Sequence, residues 1–227
     1  YLTLKDAIGA TGDPYIHSAE LTKYSELTGG EMVFAWMCEK FNMPCRIVPV
    51  VDASTGQDLL MLQRKEVNAF MHTDVSWYGL PARNPGLYET GFLRGLADLT
   101  LPGGVTVEAN VPGGQVPTNI WDLLSKDDLA EYNKLFGPDL VGAKIFWVTA
   151  ETPQPIVDVL RKAFIDATKD ETFVKGLNRL LGQDVGKAGM WDAAWEKRFH
   201  EFAAASADHG KVTASHKMRL FEKYVNQ

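Results

Sequence analysis

The chain has 227 residues, of which 45% are hydrophobic and 11% aromatic, so it can bury a sizeable core in one or two compact units. It carries 29 acidic and 23 basic residues, and this net charge of −6, without a basic stripe to replace counterions along a phosphate backbone, argues against a nucleic-acid partner. No uncharged apolar run approaches the ~20 residues that cross a bilayer, so no membrane-spanning helix is predicted.

The N-terminal part of the chain is predicted to alternate helices and strands. Helical spacing extends over residues 14–27 and 31–41, and Gly29 and Gly30 between them predict a break or a kink. A strand, a helix and a second strand are predicted next, over 45–51, 54–65 and 67–72. This order implies a right-handed crossover in an α/β sheet.

Cys38 and Cys45 are the chain's two cysteines. Free cysteine is often buried, which favours a core thiol on a helix at Cys38 and another at the start of a strand at Cys45. A short disulfide across the intervening turn is the alternative in an oxidising compartment. Two cysteines without a clustered histidine pair do not make a zinc site.

The clearest local signal lies in residues 146–185, which are predicted to form a strand, an amphipathic helix, a break and a second helix. The hydroxyl of Thr152 can accept the first helical amides, and Pro153 fits the first helical position. Apolar residues recur at three- and four-residue steps and are predicted to form one buried face: Ile156, Val159, Leu160, Ala163, Phe164 and Ala167. The charged residues between them are expected to be solvated.

Junctions between strands and helices are the candidate sites, because ligands of open α/β sheets bind outside the carboxyl ends of the strands. The first junction contains Thr11, Gly12 and Asp13, just before a helix predicted to begin near Pro14. Loop amides, the Thr11 hydroxyl and the helix start could hold an anion there. A plain turn with Asp13 as the helix cap explains the same residues.

The second junction, at residues 52–58, directly follows a predicted strand. Ser54 or Thr55 would cap the next helix, and the amides of Thr55 and Gly56 would be free to hold a carboxylate oxygen. Asp58 lies one turn into the helix and could accept a bond from a ligand hydroxyl or amine, or favour the helix dipole. Capping alone also explains a serine or threonine here.

The third junction, at residues 72–78, contains Asp74 and Ser76 among aromatic rings. These groups could orient a small ligand and cover its apolar part, and the rings could equally belong to the core. His17, His72 and Asp74 are scattered and lack metal-ligand spacing. We therefore predict a binding protein rather than an enzyme, without a cofactor or metal.

Five stretches, taken in order, resemble extracytoplasmic solute-binding proteins of the tripartite tricarboxylate transporter type. They are GATGDPYIH at 9–17, DASTGQDLLMLQRKEVNAF at 52–70, LRGLADLT at 93–100, VPTNIWDLL at 116–124, and the strand-and-helix pattern of 146–185. In that family the first four look like a glycine-rich loop, a strand followed by G-x-x-x-D and A-L-x-x-G-E-V-D, L-x-x-L-A, and V-P-T-x-x-E. The resemblance covers residues 9 to 198.

This resemblance implies a type II periplasmic-binding-protein-like fold. Residues 1–101 would be the second α/β lobe with its ligand half-site, 102–200 the C-terminal share of the first lobe, and 201–227 a helical tail extension. The implied function is periplasmic capture of a small organic anion, a carboxylate, for membrane transporter subunits. The alternative is a binding-protein fold reused as a structural or accessory subunit of a larger protein complex.

Departures from the family concern the two ends of the chain. The family's secretion signal and most of its first lobe have no counterpart, so a separate N-terminal lobe or another protein chain is expected to cover Ile145, Phe146 and Trp147. The basic, mildly amphipathic tail segment 211–224 has two interpretations. It either packs on its own lobe or docks onto a partner chain.

Overall fold

The computed structural model describes residues 3–20, 27, 29–50, 55–71, 80, 84, 86–99, 117–141, 148–181, 197, 200, 201, 204 and 209–225. It is a mixed α/β protein with small parallel sheets. The elements of its N-terminal part are α1 (Leu4–Ala7), β1 (Tyr15–Glu20), α2 (Gly29–Lys40), β2 (Cys45–Val50) and α3 (Thr55–Gln63). The alternation of strands and helices predicted for residues 31–65 is therefore confirmed.

Strand β1 lies between two parallel neighbours. On one side it pairs with β2, in a register that runs from Tyr15 opposite Cys45 to Glu20 opposite Val50. On the other side His17 forms a single parallel bridge to Ala69. A strand was predicted at 67–72, and among the described residues 67–71 this bridge is its only β-pairing. The Asn68 side chain fastens this second edge, since it accepts from the Ile16 amide at 2.6 Å and donates to the Pro14 carbonyl at 3.0 Å.

The helix predicted over residues 14–27 is wrong, because Tyr15–Glu20 forms β1. The backbone groups of this segment bond to residues on both sides that are distant in sequence, and that pairing outweighs the local helical spacing. The two glycines do not break the next helix either. Gly29 and Gly30 are the first two residues of α2.

Helix α2 is the centre of the core. Its residues from Met32 to Cys38 are all buried, as expected of a helix that is covered on every side. The Trp36 ring makes edge contacts with Tyr132 and Phe136, at centroid distances of 5.3 and 5.7 Å. One hydrophobic cluster thus joins residues 4–47 to residues 120–136 and to the tail.

The C-terminal part adds a second small sheet and four helices within the described residues. Strand β3 (Ala97–Asp98) pairs in parallel with β4 (Thr118–Asn119), and a short 3-10 helix (Ile120–Asp122) follows. The helices are α4 (Lys126–Val141), α5 (Gln154–Ala167), α6 (Glu171–Leu181) and α7 (His209–Tyr224). The lobe boundary predicted at residue 101, and the predicted strand at 146, lie outside the described residues.

The tail helix α7 packs on its own chain, against α2, α4 and β2. Leu220 and Tyr224 are buried in the main hydrophobic cluster. On the rim of this contact, Glu39 of α2 pairs with Arg219, and with Lys223 at 3.6 Å. This packing fits the first of the two interpretations of the tail.

Acid is expected to loosen the docking of α7. Burial alone would raise the pKa of Glu39, but Arg219 and Lys223 outweigh it and hold that pKa below its ordinary value of 4.5. The stability that these ion pairs contribute is therefore present above pH 4.5, the ordinary pKa of a glutamate. It is lost as the pH falls through the lower pKa that Glu39 has in the folded chain. Amide hydrogen exchange in α7, followed from neutral pH to about pH 3, checks this. An unchanged pH response in Glu39→Gln would contradict it.

Cys38 and Cys45 form a disulfide, with their Cα atoms 6.1 Å apart. The bond connects the C-terminal part of α2 to the start of β2, and both residues are buried. The interpretation as two free core thiols is therefore wrong, although their burial was predicted correctly.

Helices α5 and α6 are present where the sequence predicts them, but their surroundings differ. No residue of α5 is buried, so the predicted buried face is wrong. Helix α5 begins after Pro153, which makes no side-chain cap bond, and the predicted cap residue Thr152 instead lies with its hydroxyl 3.2 Å from that of Thr149. A short break separates α5 from α6. Asp170 caps the start of α6, because its carboxylate accepts a hydrogen bond from the Phe173 amide at 2.8 Å.

None of the helices that the structure describes has the length and apolar character needed to span a bilayer.

Candidate functional site

The carboxyl edge of the β1–β2 sheet is where the structure places the starts of two helices. Both strands run in the same direction and end together at Glu20 and Val50. Helix α2 begins beside Met71, since a Cβ added at Gly30 would lie 2.6 Å from its Cε. Helix α3 begins at Thr55, five residues after β2 ends. Two helix N-termini therefore lie at one edge, and each presents backbone amides there.

Helices α2 and α3 cover opposite faces of this sheet. Successive side chains of a strand point to opposite faces, and β1 provides one contact on each side. The His17 ring lies 4.7 Å from the ring of Phe34 in α2. The Ser18 hydroxyl bonds to Asp58 in α3. The spatial order of β2, β1 and the Ala69 segment therefore matches the start of a doubly wound sheet, in which ligands bind where the strand order reverses.

Ser18 and Asp58 form a buried polar pair. The Ser18 Oγ donates to an Asp58 carboxylate oxygen at 2.5 Å, and both side chains are almost fully inaccessible. The bond holds the first turn of α3 against the centre of β1, where a carboxylate also favours the helix dipole. Asp58 was predicted from its place in the helix, but Ser18 was missed because its segment was predicted to be helical.

His17 is buried on the other face of the sheet. Its Nδ1 lies 3.4 Å from the carbonyl oxygen of Ala69, so the ring braces the bridge between β1 and that segment. Ser18 donates to a carboxylate and points away from the His17 face, so these two residues do not form the hydroxyl–imidazole pair of a serine nucleophile. The buried histidine and serine therefore brace the sheet.

Thr11, Gly12 and Asp13 lie at the opposite edge of the sheet. They immediately precede the start of β1, and six strand residues, about 20 Å at the usual rise, separate that start from the carboxyl edge. The helix predicted to begin near Pro14 is absent there. The structure therefore does not bring these three residues together with Asp58.

Gly56 is the sequence-predicted residue best placed to face a ligand. It is the second residue of α3 and is exposed, and a Cβ added to it would meet no atom within 4 Å. Thr55 begins the same helix. The remaining candidates Ser54, Asp74 and Ser76 lie outside the described residues, as does His72.

Within the described ranges, no group of three or more histidine, cysteine, aspartate or glutamate side chains could hold a metal ion. Comparisons of the chain with protein-family models, with curated proteins and with solved structures found no match. The resemblance to tricarboxylate-type binding proteins therefore stays a prediction, and the geometry of the carboxyl edge is the main basis for a functional proposal.

Proposed function

We propose that the chain binds a small organic anion, through a carboxylate group, at the carboxyl edge of the β1–β2 sheet. The supporting observation is the arrangement of this edge, where the strand order reverses at β1 and both α2 and α3 begin. Backbone amides at helix N-termini attract anions whatever the net charge of the chain. Binding would use these amides and nearby hydroxyls, without a covalent step or a cofactor.

The biological setting that we propose is periplasmic capture of this anion for a tripartite tricarboxylate-type transporter. Five stretches of sequence resemble that family in order, and the parallel strand–helix arrangement is compatible with a type II periplasmic-binding-protein-like fold. The Cys38–Cys45 disulfide favours an oxidising compartment. In this proposal Gly56 faces the ligand, and Asp58 positions α3. Ser54, Asp74 and Ser76 are proposed as further ligand-binding residues from their places in the sequence.

A valine at Gly56 is expected to weaken anion binding by about tenfold or more, because its branched side chain would occupy the space through which a carboxylate approaches the α3 amides. Calorimetric titration of the 227-residue chain with succinate, malate, glutarate and citrate measures this effect. A chain that binds none of these probes would contradict the proposal of a carboxylate ligand.

Gly210 provides the matched control. It is the second residue of α7, as Gly56 is of α3, and a Cβ added to it also meets no atom within 4 Å. Gly210→Val therefore makes the same change at the second residue of a different helix. Equal loss of affinity in both variants would show that the effect arises from helix stability rather than from a contact at α3.

A second candidate function is that of a structural or accessory subunit of a larger complex. The exposed apolar face of α5 favours it, because such a face needs a cover. Co-purification of the native chain with stoichiometric partner subunits, and no response to any carboxylate, would favour this function over anion capture.

A further inference from the structure

Three consecutive residues at the end of α2 each connect this helix to a different element. Cys38 forms its disulfide with the first residue of β2, Glu39 pairs with two basic residues of α7, and Lys40 pairs with two acidic residues of α4. We call these three residues the α2 junction. The covalent link to β2 and the ionic contacts to α7 are therefore adjacent in the chain.

The docking surface of α7 is built from both of the elements that the disulfide joins. Helix α7 packs against α2 and β2, as well as against α4. Its buried residues Leu220 and Tyr224 lie in the same hydrophobic cluster as Cys38 and Cys45. Close packing of α7 therefore requires α2 and β2 to keep their relative position.

The turn between α2 and β2 has constraints of its own. The Met43 amide donates to the Cys38 carbonyl at 2.9 Å, and this bond does not need the disulfide. Asn42 has a φ of 48°, in the left-handed region that costs energy for a residue other than glycine. Loss of the disulfide is therefore expected to loosen the angle between α2 and β2 rather than to separate them.

We infer that the Cys38–Cys45 disulfide and the docking of α7 form one redox-sensitive device, in which reduction by a dithiol releases the tail helix and oxidation locks it. A thiolate of the dithiol attacks the sulfur of Cys45, the less buried cysteine, and Cys38 leaves as a thiolate that takes up a proton.

The second thiol of the reductant completes the exchange. It closes the reductant to a disulfide and releases Cys45, which also takes up a proton, so the reductant loses two electrons and the protein gains two thiols. The inference does not depend on anion binding.

Amide hydrogen exchange of the 227-residue chain at neutral pH tests the release. In the oxidised parent α7 should exchange faster than β1, because it opens without global unfolding. The Cys38→Ala/Cys45→Ala variant stands for the reduced state. In it α7 should exchange about tenfold faster than in the parent, a usual size for coupling between two sites. Helix α5, none of whose residues is buried, is the internal control and should exchange equally in both proteins.

The coupling has to be reciprocal, and this gives a second test. If reduction weakens the docking of α7, a chain with weakened docking is reduced more easily by the same factor. Leu220→Ala removes a fully buried side chain of α7 and should shift the equilibrium with dithiothreitol toward the reduced protein by about tenfold. Leu80→Ala is the matched control, because Leu80 is also buried but belongs to a separate hydrophobic cluster with Tyr88 and Leu93. It should leave this equilibrium unchanged.

The two tests use different variants, so the reciprocal test stands even if the double alanine variant does not fold. Exchange in α7 that is the same with and without the disulfide would overturn the inference. So would equal exchange rates in α7 and β1, because α7 would then unfold only with the whole chain. Equal reduction equilibria in the two leucine variants would overturn it as well, since any shift would then reflect a general loss of stability.

Discussion

Trp36→Ala is expected to lower the free energy of unfolding by about 3–5 kcal/mol, the usual cost of truncating a large buried aromatic residue. The Trp36 side chain of α2 is buried and packs against both Tyr132 and Phe136 of α4. The Lys40 ammonium lies 5.5 Å from its ring centroid. Alanine would remove all of these contacts at once and leave a cavity where α2 and α4 meet.

Chemical denaturation followed by far-ultraviolet circular dichroism and by the fluorescence of the remaining tryptophans measures this loss. Since Trp36 joins segments that the sequence assigned to two lobes, we expect both probes to shift together in one cooperative transition. Trp36→Phe keeps an aromatic ring at the site and should cost clearly less. A variant in which one probe shifts and the other does not would show that α2 and α4 belong to independently unfolding units.

The elements that could be predicted from the sequence are those with strong local signals. A β-branched run predicts β2, and the spacing of apolar residues predicts α3, α5 and α6. Strand β1 could not be predicted in this way. Its segment YIHSAE has no clear alternation, and the pairing that makes it a strand comes from residues 45–50 and 69.

The error at β1 also determined which parts of the site could be predicted. The start of α3 and the place of Asp58 in its first turn follow from a local signal at residues 52–58. The bond from Ser18 to Asp58 spans 40 positions and exists only because β1 is a strand. The same error placed Thr11, Gly12 and Asp13 beside a helix start, whereas they precede a strand at the opposite edge.

The face of α5 shows a different limit. Periodicity identifies which side chains of a helix share a face, and Val159 and Phe164 do share one. It does not identify what covers that face. A prediction of burial within the same chain was the simplest assumption, and the exposure of α5 shows why a partner has to be considered.

The disulfide provides the second large effect. Replacing both Cys38 and Cys45 by alanine is expected to lower the free energy of unfolding by about 2–3 kcal/mol under oxidising conditions, the entropy of closing so short a loop in the unfolded chain. The two residues are separated by 7 positions and are both buried, so alanine also loses some packing. Urea denaturation of both proteins measures the sum of the two losses.

Repeating the measurement with a reductant separates the two losses. Only the parent has a cross-link to lose. Reduction should therefore remove most of the difference in free energy of unfolding between the parent and the double alanine variant, and it should leave the stability of the variant unchanged. The remaining difference between the reduced proteins reports packing at Cys38 and Cys45 alone. Thiol labelling of protein isolated from its natural source and then denatured without a reductant should find no free thiol. Two labelled thiols would contradict the disulfide and would remove its support for an oxidising compartment.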